Sequence, residues 1–210
     1  MRKILYIICW ALAGVGLYSC SLDEPSYGKT TSDNYYQKES DIEQALTGAY
    51  LQLRTTWNEY ALNHYFVGDC STDDALKGGG NDGDRAEVRD LSDFTVYTTN
   101  GEVGRRWEIL YRLINRCNDV IYYAPNAIGN EELLTRYANE AKALRAFGYY
   151  CLVSTFGEVP LITTPMQPAE ILQIPRSPLE KVYECIVSDL TDASALPAKG
   201  DYSDDDAYRV

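Results

Sequence analysis

Four stretches of apolar residues at helical spacing constrain this chain most. In "ESDIEQALTGAYLQLRTTWNEY", Ile42, Ala45, Leu46, Ala49, Tyr50, Leu53 and Trp57 recur at steps of three and four, which places them on one helix face. Ser40 and Glu43 form an S-x-x-E capping pattern at its start. A second helix is predicted from about Glu102 to Ala124, carrying Val103, Trp107, Leu110, Ile114, Cys117 and Ile121. Pro125 and "NAIGN" stop it. A third runs from about Glu131 to Phe156, with Leu134, Ala138, Ala141, Leu144, Gly148 and Leu152 inward and Gly157 as C-cap. Ala141, Ala146 and Gly148 are small enough to let a neighbouring helix come close. The fourth, in "SPLEKVYECIVSDLTDASALP", opens with Ser177 at N-cap, Pro178 at N1 and Glu180 at N3. Its inner face is Leu179, Val182, Tyr183, Ile186 and Leu190.

What lies between the helices excludes most β architectures. "EVPLITTPMQPAEILQIPR" holds four prolines and cannot be a central strand, so it is read as an extended crossing segment. Only Phe94 to Thr98 is a candidate extended stretch. The predicted class is therefore mainly α, with amphipathic helices in pairs. Trp107-x-x-Leu110 and Ala143-x-x-x-Phe147 are similar to the tetratricopeptide pattern, at a spacing longer than the standard repeat.

Residues 63–101 break the helical pattern. "GDCSTDDALKGGGNDGDRAEVRDLSDFTVYTTN" is rich in Gly, Asp and Asn. A connection this long without its own secondary structure is usually functional or disordered. "GGGNDGD" approximates the glycine-aspartate calcium repeat of β-helices, but Asp82 replaces a glycine and there is one copy. It also lacks the Gly and terminal Glu offsets of an EF-hand loop. A flexible glycine loop is the reading preferred to calcium, and no cofactor is expected.

The N-terminus carries a different signal. Arg2 and Lys3 precede an uncharged, largely apolar run from Ile4 to Tyr18, the order of a secretory signal. As a membrane span the run is marginal, since a bilayer core needs about 20 apolar residues. Leu17, Tyr18, Ser19 and Cys20 then resemble a bacterial lipobox, and the polar "SLDEPS" follows at once. Residues 1–19 are read as the signal peptide. Cys20 is the expected lipidation site, and several acyl chains together give stable membrane anchoring. Residues 20–39 are read as a tether rich in Ser, Thr and Tyr.

Charge and cysteine usage narrow the function. Losing Arg2 and Lys3 with the signal moves the formal charge from −12 to −14. An acidic chain is unsuited to nucleic acid, whose phosphates require a basic surface. Eighteen Tyr and three Trp stand against four Phe, and such rings suit carbohydrate or protein surfaces as well as helix packing. Beyond Cys9 and Cys20, the cysteines are Cys70, Cys117, Cys151 and Cys185, with no C-x-x-C. Two disulfides have three connectivities, but three of the four fall in predicted helices and are expected as buried free thiols. His64 is the single histidine, which makes zinc ligation or a histidine-based nucleophile improbable. A glycosidase needs two carboxyls about 5 to 10 Å apart, and with 31 acidic residues abundance alone marks no pair.

Five blocks in order resemble the SusD/RagB lipoproteins of Bacteroidetes: "CSLDEPSYG", "SDNYYQKESDIEQALTGAY", "WEILYRLINRCNDVI", "YANEAKALRAFGYYCLVSTFGEVPLITTP" and "RSPLEKVYECIVSDLTDASALP". The resemblance covers almost everything from Cys20 onward. It implies a tetratricopeptide-like scaffold over residues 40–210, cut short at "DDDAYRV" where a further helix of the family begins. It also implies a surface-exposed, lipid-anchored protein of the outer membrane. Such a protein binds a nutrient, usually an oligosaccharide and sometimes a peptide, with a TonB-dependent (SusC-like) transporter, and does not catalyse. A peptide binder of the RagB type, or a helical scaffold binding only protein, are the alternatives.

In that family the ligand face is built from loops decorating the helices, so residues 67–100 are the expected site. Asp69, Asp73, Asp74, Asn81, Asp82 and Asp84 offer acceptors for sugar hydroxyls. Tyr60 and Tyr65 offer stacking rings, whereas Trp57 and Trp107 are expected in the core.

Overall fold

The computed structural model describes residues 35–53, 60–81, 83–198 and 201. The expected signal peptide, Cys20, most of the tether, Trp57, Asp82 and the terminal "DDDAYRV" lie outside the described residues. Among the described residues seven α-helices follow in order: α1 (Glu39–Tyr50), α2 (Tyr60–Gly68), α3 (Ala86–Ser92), α4 (Gly101–Tyr123), α5 (Glu131–Phe156), the single turn α6 (Pro168–Ile171) and α7 (Leu179–Ala193). Short 3₁₀ turns at Leu51–Leu53 and Ala124–Asn126 extend α1 and α4. No strand occurs among the described residues; two isolated bridges, Lys38 to Ile128 and Val159 to Ser177, are the only β pairing there.

Helices α4 and α5 are the spine, and side-chain contacts fix their direction. Arg106 meets Thr155, Gly148 abuts Ile114 and Asn118 meets Arg145, so the two run antiparallel. Arg145 with Asp189 and Lys142 with Asp192 set α7 antiparallel to α5. Tyr36 with Asp119 and Arg116 with the Gly48 carbonyl set α1 antiparallel to α4. Successive antiparallel helices sharing long faces give the tetratricopeptide-like scaffold.

Two apolar cores sit along the spine. One joins Ile42, Leu46 and Ala49 of α1 to Leu113, Cys117 and Val120 of α4 and Leu134, Ala141 and Leu144 of α5. The other joins Leu110 and Ile114 to Tyr149, Leu152 and Val159, and to Val182 and Ile186 of α7. Gly148 makes the close approach expected of it: a Cβ there would lie 3.0 Å from Ile114 Cγ1. Of the three cysteines expected as buried free thiols, Cys117 and Cys151 are buried and Cys185 is half-buried, and Cys70, outside the predicted helices, is a buried free thiol as well.

A buried polar network pins the proline-rich crossing. Arg145 donates to both Asp189 oxygens, to Asn118 Oδ1 and to the Thr163 carbonyl. Asn118 Nδ2 and the Tyr149 hydroxyl both donate to the Ile162 carbonyl, and the Ile162 N–H donates back to Tyr149. Tyr111 donates to the Pro160 carbonyl at 2.7 Å. Backbone groups that the prolines keep out of regular pairing thus find side-chain partners, as buried polar groups must.

Three helix boundaries and one helix face differ from the sequence reading. Helix α1 starts at Glu39 because the Asp41 carboxylate takes the N–H groups of Gln37 and Lys38, so Ser40 is not its cap. It ends at Tyr50 and passes into the 3₁₀ turn at Leu51–Leu53, while Arg116 donates to the Gly48 carbonyl in its last turn. Ser177 spends its backbone N–H on Val159, and Pro178, not Ser177, takes the cap position of α7. On α7 only Val182 and Ile186 of the expected face are buried; Leu179, Tyr183 and Leu190 are exposed, because the helix packs chiefly on α5.

Candidate functional site

The expected loop is not structureless. It carries α2 and α3, which cap the N-terminal end of α4. Sequence periodicity missed them because both helices are short and their few buried apolar residues, Val88 and Leu91 on α3, are joined by polar contacts. On α2, buried Asn63 donates to the Glu102 carbonyl at 2.8 Å. His64 Nδ1 lies 3.1 Å from Arg106 Nη1, and Arg106, itself buried, donates onward to Thr155. Burial and the Arg106 guanidinium hold the His64 imidazole below its ordinary pKa, partly offset by Asp69. The single histidine therefore helps seat α2 on α4.

Helix α3 is held from both sides. The Arg85 guanidinium stacks 4.7 Å from the Phe66 ring centre and reaches Glu102 at 3.5 Å. At the other end, Asn100 is the N-cap of α4. Its Oδ1 accepts from Glu102 and Val103, as a cap should, while its Nδ2 donates to the Glu87 carbonyl. Glu87 in turn accepts the Gly101 N–H at 2.9 Å. A Cβ on Gly101 would fall 2.7 Å from that carboxylate, so a larger residue there would displace the Glu87 side chain from the α4 N-terminus.

The stretch between α2 and α3 is a series of hydrogen-bonded turns. Ser71 donates to the Val67 carbonyl, Thr72 to the Asp69 carbonyl, and the Asp74 N–H donates to Thr72. Lys77 Nζ donates to the Asn81 carbonyl, and Asn81 Oδ1 accepts from Gly83. Gly79 has φ +123°, and a Cβ there would meet Asp84 at 2.3 Å. The glycine run thus turns tightly around the Asp84 carboxylate. Among the described residues no cluster of three or more metal-ligating side chains occurs.

These turns enclose a cleft of about 400 Å³ lined by Lys77, Gly79, Asn81, Arg89, Ser92 and Asp93, among others. Of the expected ligand residues, Asn81 lines it. Asp69, Asp73 and Asp74 are exposed on the turns after α2 and are not among its lining residues. Tyr65 is exposed on α2, beside Phe66. Tyr60 opens α2, but its side chain and Asp82 lie outside what is described. Sequence reasoning passed over Lys77, Arg89 and Asp93; their clustering between Gly-rich turns and a short helix was the available signal.

A second concavity, about 360 Å³, runs over α4 between Trp107, Tyr111, Asn115, Pro160, Ile162 and Leu172. Trp107 is half-buried, tilted on Tyr111 and edge-on to Phe156, at the boundary of the core in which it was expected. This groove is poorer in hydrogen-bonding groups, since the Asn118 amide and the Tyr111 hydroxyl are engaged by the crossing segment.

Comparison with known proteins agrees with this architecture. A family model described as "Starch-binding associating with outer membrane" matches residues 21–208. SusD-like protein P2 of Formosa agariphila is 30% identical over 195 residues, covering 90% of this chain and 37% of the relative. Among solved structures, a "Laminarin binding SusD-like protein" matches with TM-score 0.71 and 29% identity over 83% of this chain and 37% of that one. Surface glycan-binding protein A from Bacteroides fluxus matches with TM-score 0.70 and 28% identity, over 82% and 37% of the two chains. The chain thus spans about 37% of the length of the relatives it matches. With the family model covering nearly the whole sequence and the helical scaffold shared, the chain belongs to the SusD-like family.

Proposed function

We propose that this is a cell-surface lipoprotein that binds a glycan nutrient and passes it to a TonB-dependent, SusC-like transporter in the outer membrane, without chemical turnover. The observation that carries the reading is the α2–α3 cap. It presents exposed carboxylates, amides and rings on hydrogen-bonded turns above a rigid helical spine, beside a polar cleft. Saccharides are held by just such polar groups fixing orientation and by aromatic faces covering their C–H surfaces. Tyr60, Tyr65, Asp69, Asp73, Asp74, Asn81 and Asp82 are the proposed ligand contacts of this cap. The names of the matched proteins, one laminarin-binding and one a surface glycan-binding protein, support the ligand class.

Residues 1–19 act as the signal peptide and residues 20–39 as the tether. Residues 40–210 form the N-terminal helical part of the family fold. Acylation of Cys20 holds the cap at the cell surface, where glycan and transporter meet. The test is made in cells. Radiolabelled palmitate should enter the wild-type chain and not Cys20→Ala. Protease added to whole cells should remove the wild-type protein, and mild detergent extraction should co-purify an outer-membrane transporter. Unlabelled protein, or protein protected from external protease, overturns the anchored surface reading.

A further inference from the structure

Neither of the two apolar cores takes a residue from α2 or α3. The cap these helices form is seated on α4 largely by polar groups, and many of them converge on Glu102, the second residue of α4. Its backbone carbonyl accepts from Asn63 Nδ2 of α2 at 2.8 Å, and its Oε2 lies 3.4 Å from the same amide. Its Oε1 faces Arg85 Nη1, just ahead of α3, at 3.5 Å. Its Oε2 faces Arg105 Nε, one turn along α4, at 3.8 Å. Its own N–H donates to Asn100 Oδ1, the side chain that caps α4 and reaches Glu87 of α3. The carboxylate is 12% exposed and Asn63 3%.

Charge makes this carboxylate hard to replace. Arg85 and Arg105 both approach the N-terminus of α4, the positive end of its dipole. Glu102 lies between them and turns two unfavourable approaches into favourable ones. Arg85 has a further cost, since its φ of +47° is a conformation L residues avoid. Its guanidinium also covers the Phe66 ring of α2 at 4.7 Å. One ion pair therefore ties the end of α2, the start of α3 and the first turn of α4 together. The other bridges to α4, His64 with Arg106 and Glu87 with Gly101, flank it. A segment held by polar contacts outside the main cores is the kind that opens locally while the rest stays folded.

We propose that Glu102 is the positioning residue of the α2–α3 cap: its carboxylate, set between Arg85 and Arg105, docks α2, α3 and the turns between them on the spine as one unit that opens and closes by itself. Docking places Tyr65, Asp69, Asp73, Asp74 and Asn81 relative to the spine. That consequence rests on the glycan-binding reading; the docking does not.

The test is amide hydrogen exchange of the whole chain carrying Cys20→Ala. Glu102→Gln keeps the side-chain length and the backbone carbonyl and removes the charge. Exchange in α2 and α3 should rise about fivefold, the upper range for a partly exposed ion pair, with α5 and α7 unchanged. Raising sodium chloride from about 0.05 to about 1 M should speed exchange of the parent cap by screening the attraction, and should not speed it in Glu102→Gln, where the two guanidiniums face each other without the carboxylate. Arg85→Gln should raise cap exchange less in the Glu102→Gln background than in the parent. Cap exchange unchanged in Glu102→Gln, a rise shared equally by α5 and α7, or the same salt response in both chains overturns the proposal. Laminarin, soluble starch and a wider glycan panel are then added. A glycan that binds through the cap should slow exchange in α2 and α3 of Glu102→Gln by favouring the closed form. A bound glycan that leaves that exchange untouched overturns the placing of the glycan contacts on the cap, while the docking role of Glu102 stands.

Discussion

Replacing Asp189 with Ala should destabilise the fold strongly, and the structure sets the scale. Arg145 is 6% exposed and Asp189 4%, and two 2.8 Å bonds join them. The same guanidinium satisfies Asn118 and the Thr163 carbonyl, so it cannot leave without unpinning the crossing segment. Asp189→Ala strands a cation where water does not reach, which costs about 3–5 kcal/mol for a broken buried pair. For a domain of this size that is a fall in melting temperature of about 6–20 °C. Arg145→Met combined with Asp189→Leu removes both charges and leaves only neutral acceptors unmet. The double variant should therefore be more stable than Asp189→Ala alone, with a coupling energy of about 1–3 kcal/mol. Urea denaturation followed by far-ultraviolet circular dichroism reads the parent, Arg145→Met, Asp189→Leu and the double variant as the four corners of the cycle, with Asp189→Ala beside them. An Asp189→Ala chain within about 1 kcal/mol of the parent, or strictly additive variants, would refute the reasoning.

Three further outcomes follow from the packing. Gly148→Leu should destabilise the fold by about 1–3 kcal/mol through overpacking against Ile114 and Leu113, whereas Gly148→Ala should stay close to neutral, its helix propensity offsetting the 3.0 Å contact; thermal unfolding of the pair checks this. Asn100→Ala removes the α4 cap and its bond to Glu87, and should cost about 1–2 kcal/mol, read as a lower urea midpoint. For His64, the folded-state pKa lies below the 6.5 of the free imidazole, so the unfolded chain binds the proton first. Stability should then fall as pH drops below about 6.5, and His64→Gln should flatten that part of the urea-midpoint profile. An unchanged slope would show that His64 is not seated as described.

The long helices were legible because their signals are redundant. In α4 and α5, apolar period, stop residues and small-residue contacts all agree, and the third helix spans the residues expected of it, Glu131 to Phe156. The α2–α3 cap was not legible, because α2 docks partly through Asn63, His64 and Arg106, which read as solvent-facing until their partners are known, and α3 buries only Val88 and Leu91 as apolar anchors. Helix α3 has seven residues between a left-handed Arg85 and a left-handed Phe94, too few for periodicity to emerge. Caps fell a residue or two from their expected places: the Asp41 carboxylate takes the Gln37 and Lys38 N–H groups at the start of α1, and Pro178 rather than Ser177 holds the cap position of α7. For the site, composition marked the 67–100 loop, but the left-handed backbone at Phe94 is a property that no residue pattern displays. The exposed stripe of α7 was misplaced because an amphipathic helix announces its apolar residues, not how many neighbours will cover them.

The central claim is glycan capture without turnover, and one titration tests it most directly. The Cys20→Ala chain is titrated calorimetrically with laminarin, soluble starch and the wider glycan panel, and the same mixtures are assayed for newly formed reducing ends. The account predicts saturable heat with at least one glycan and no increase in reducing ends over the incubation. Reducing ends released in proportion to protein, or no binding heat with any glycan, would contradict it.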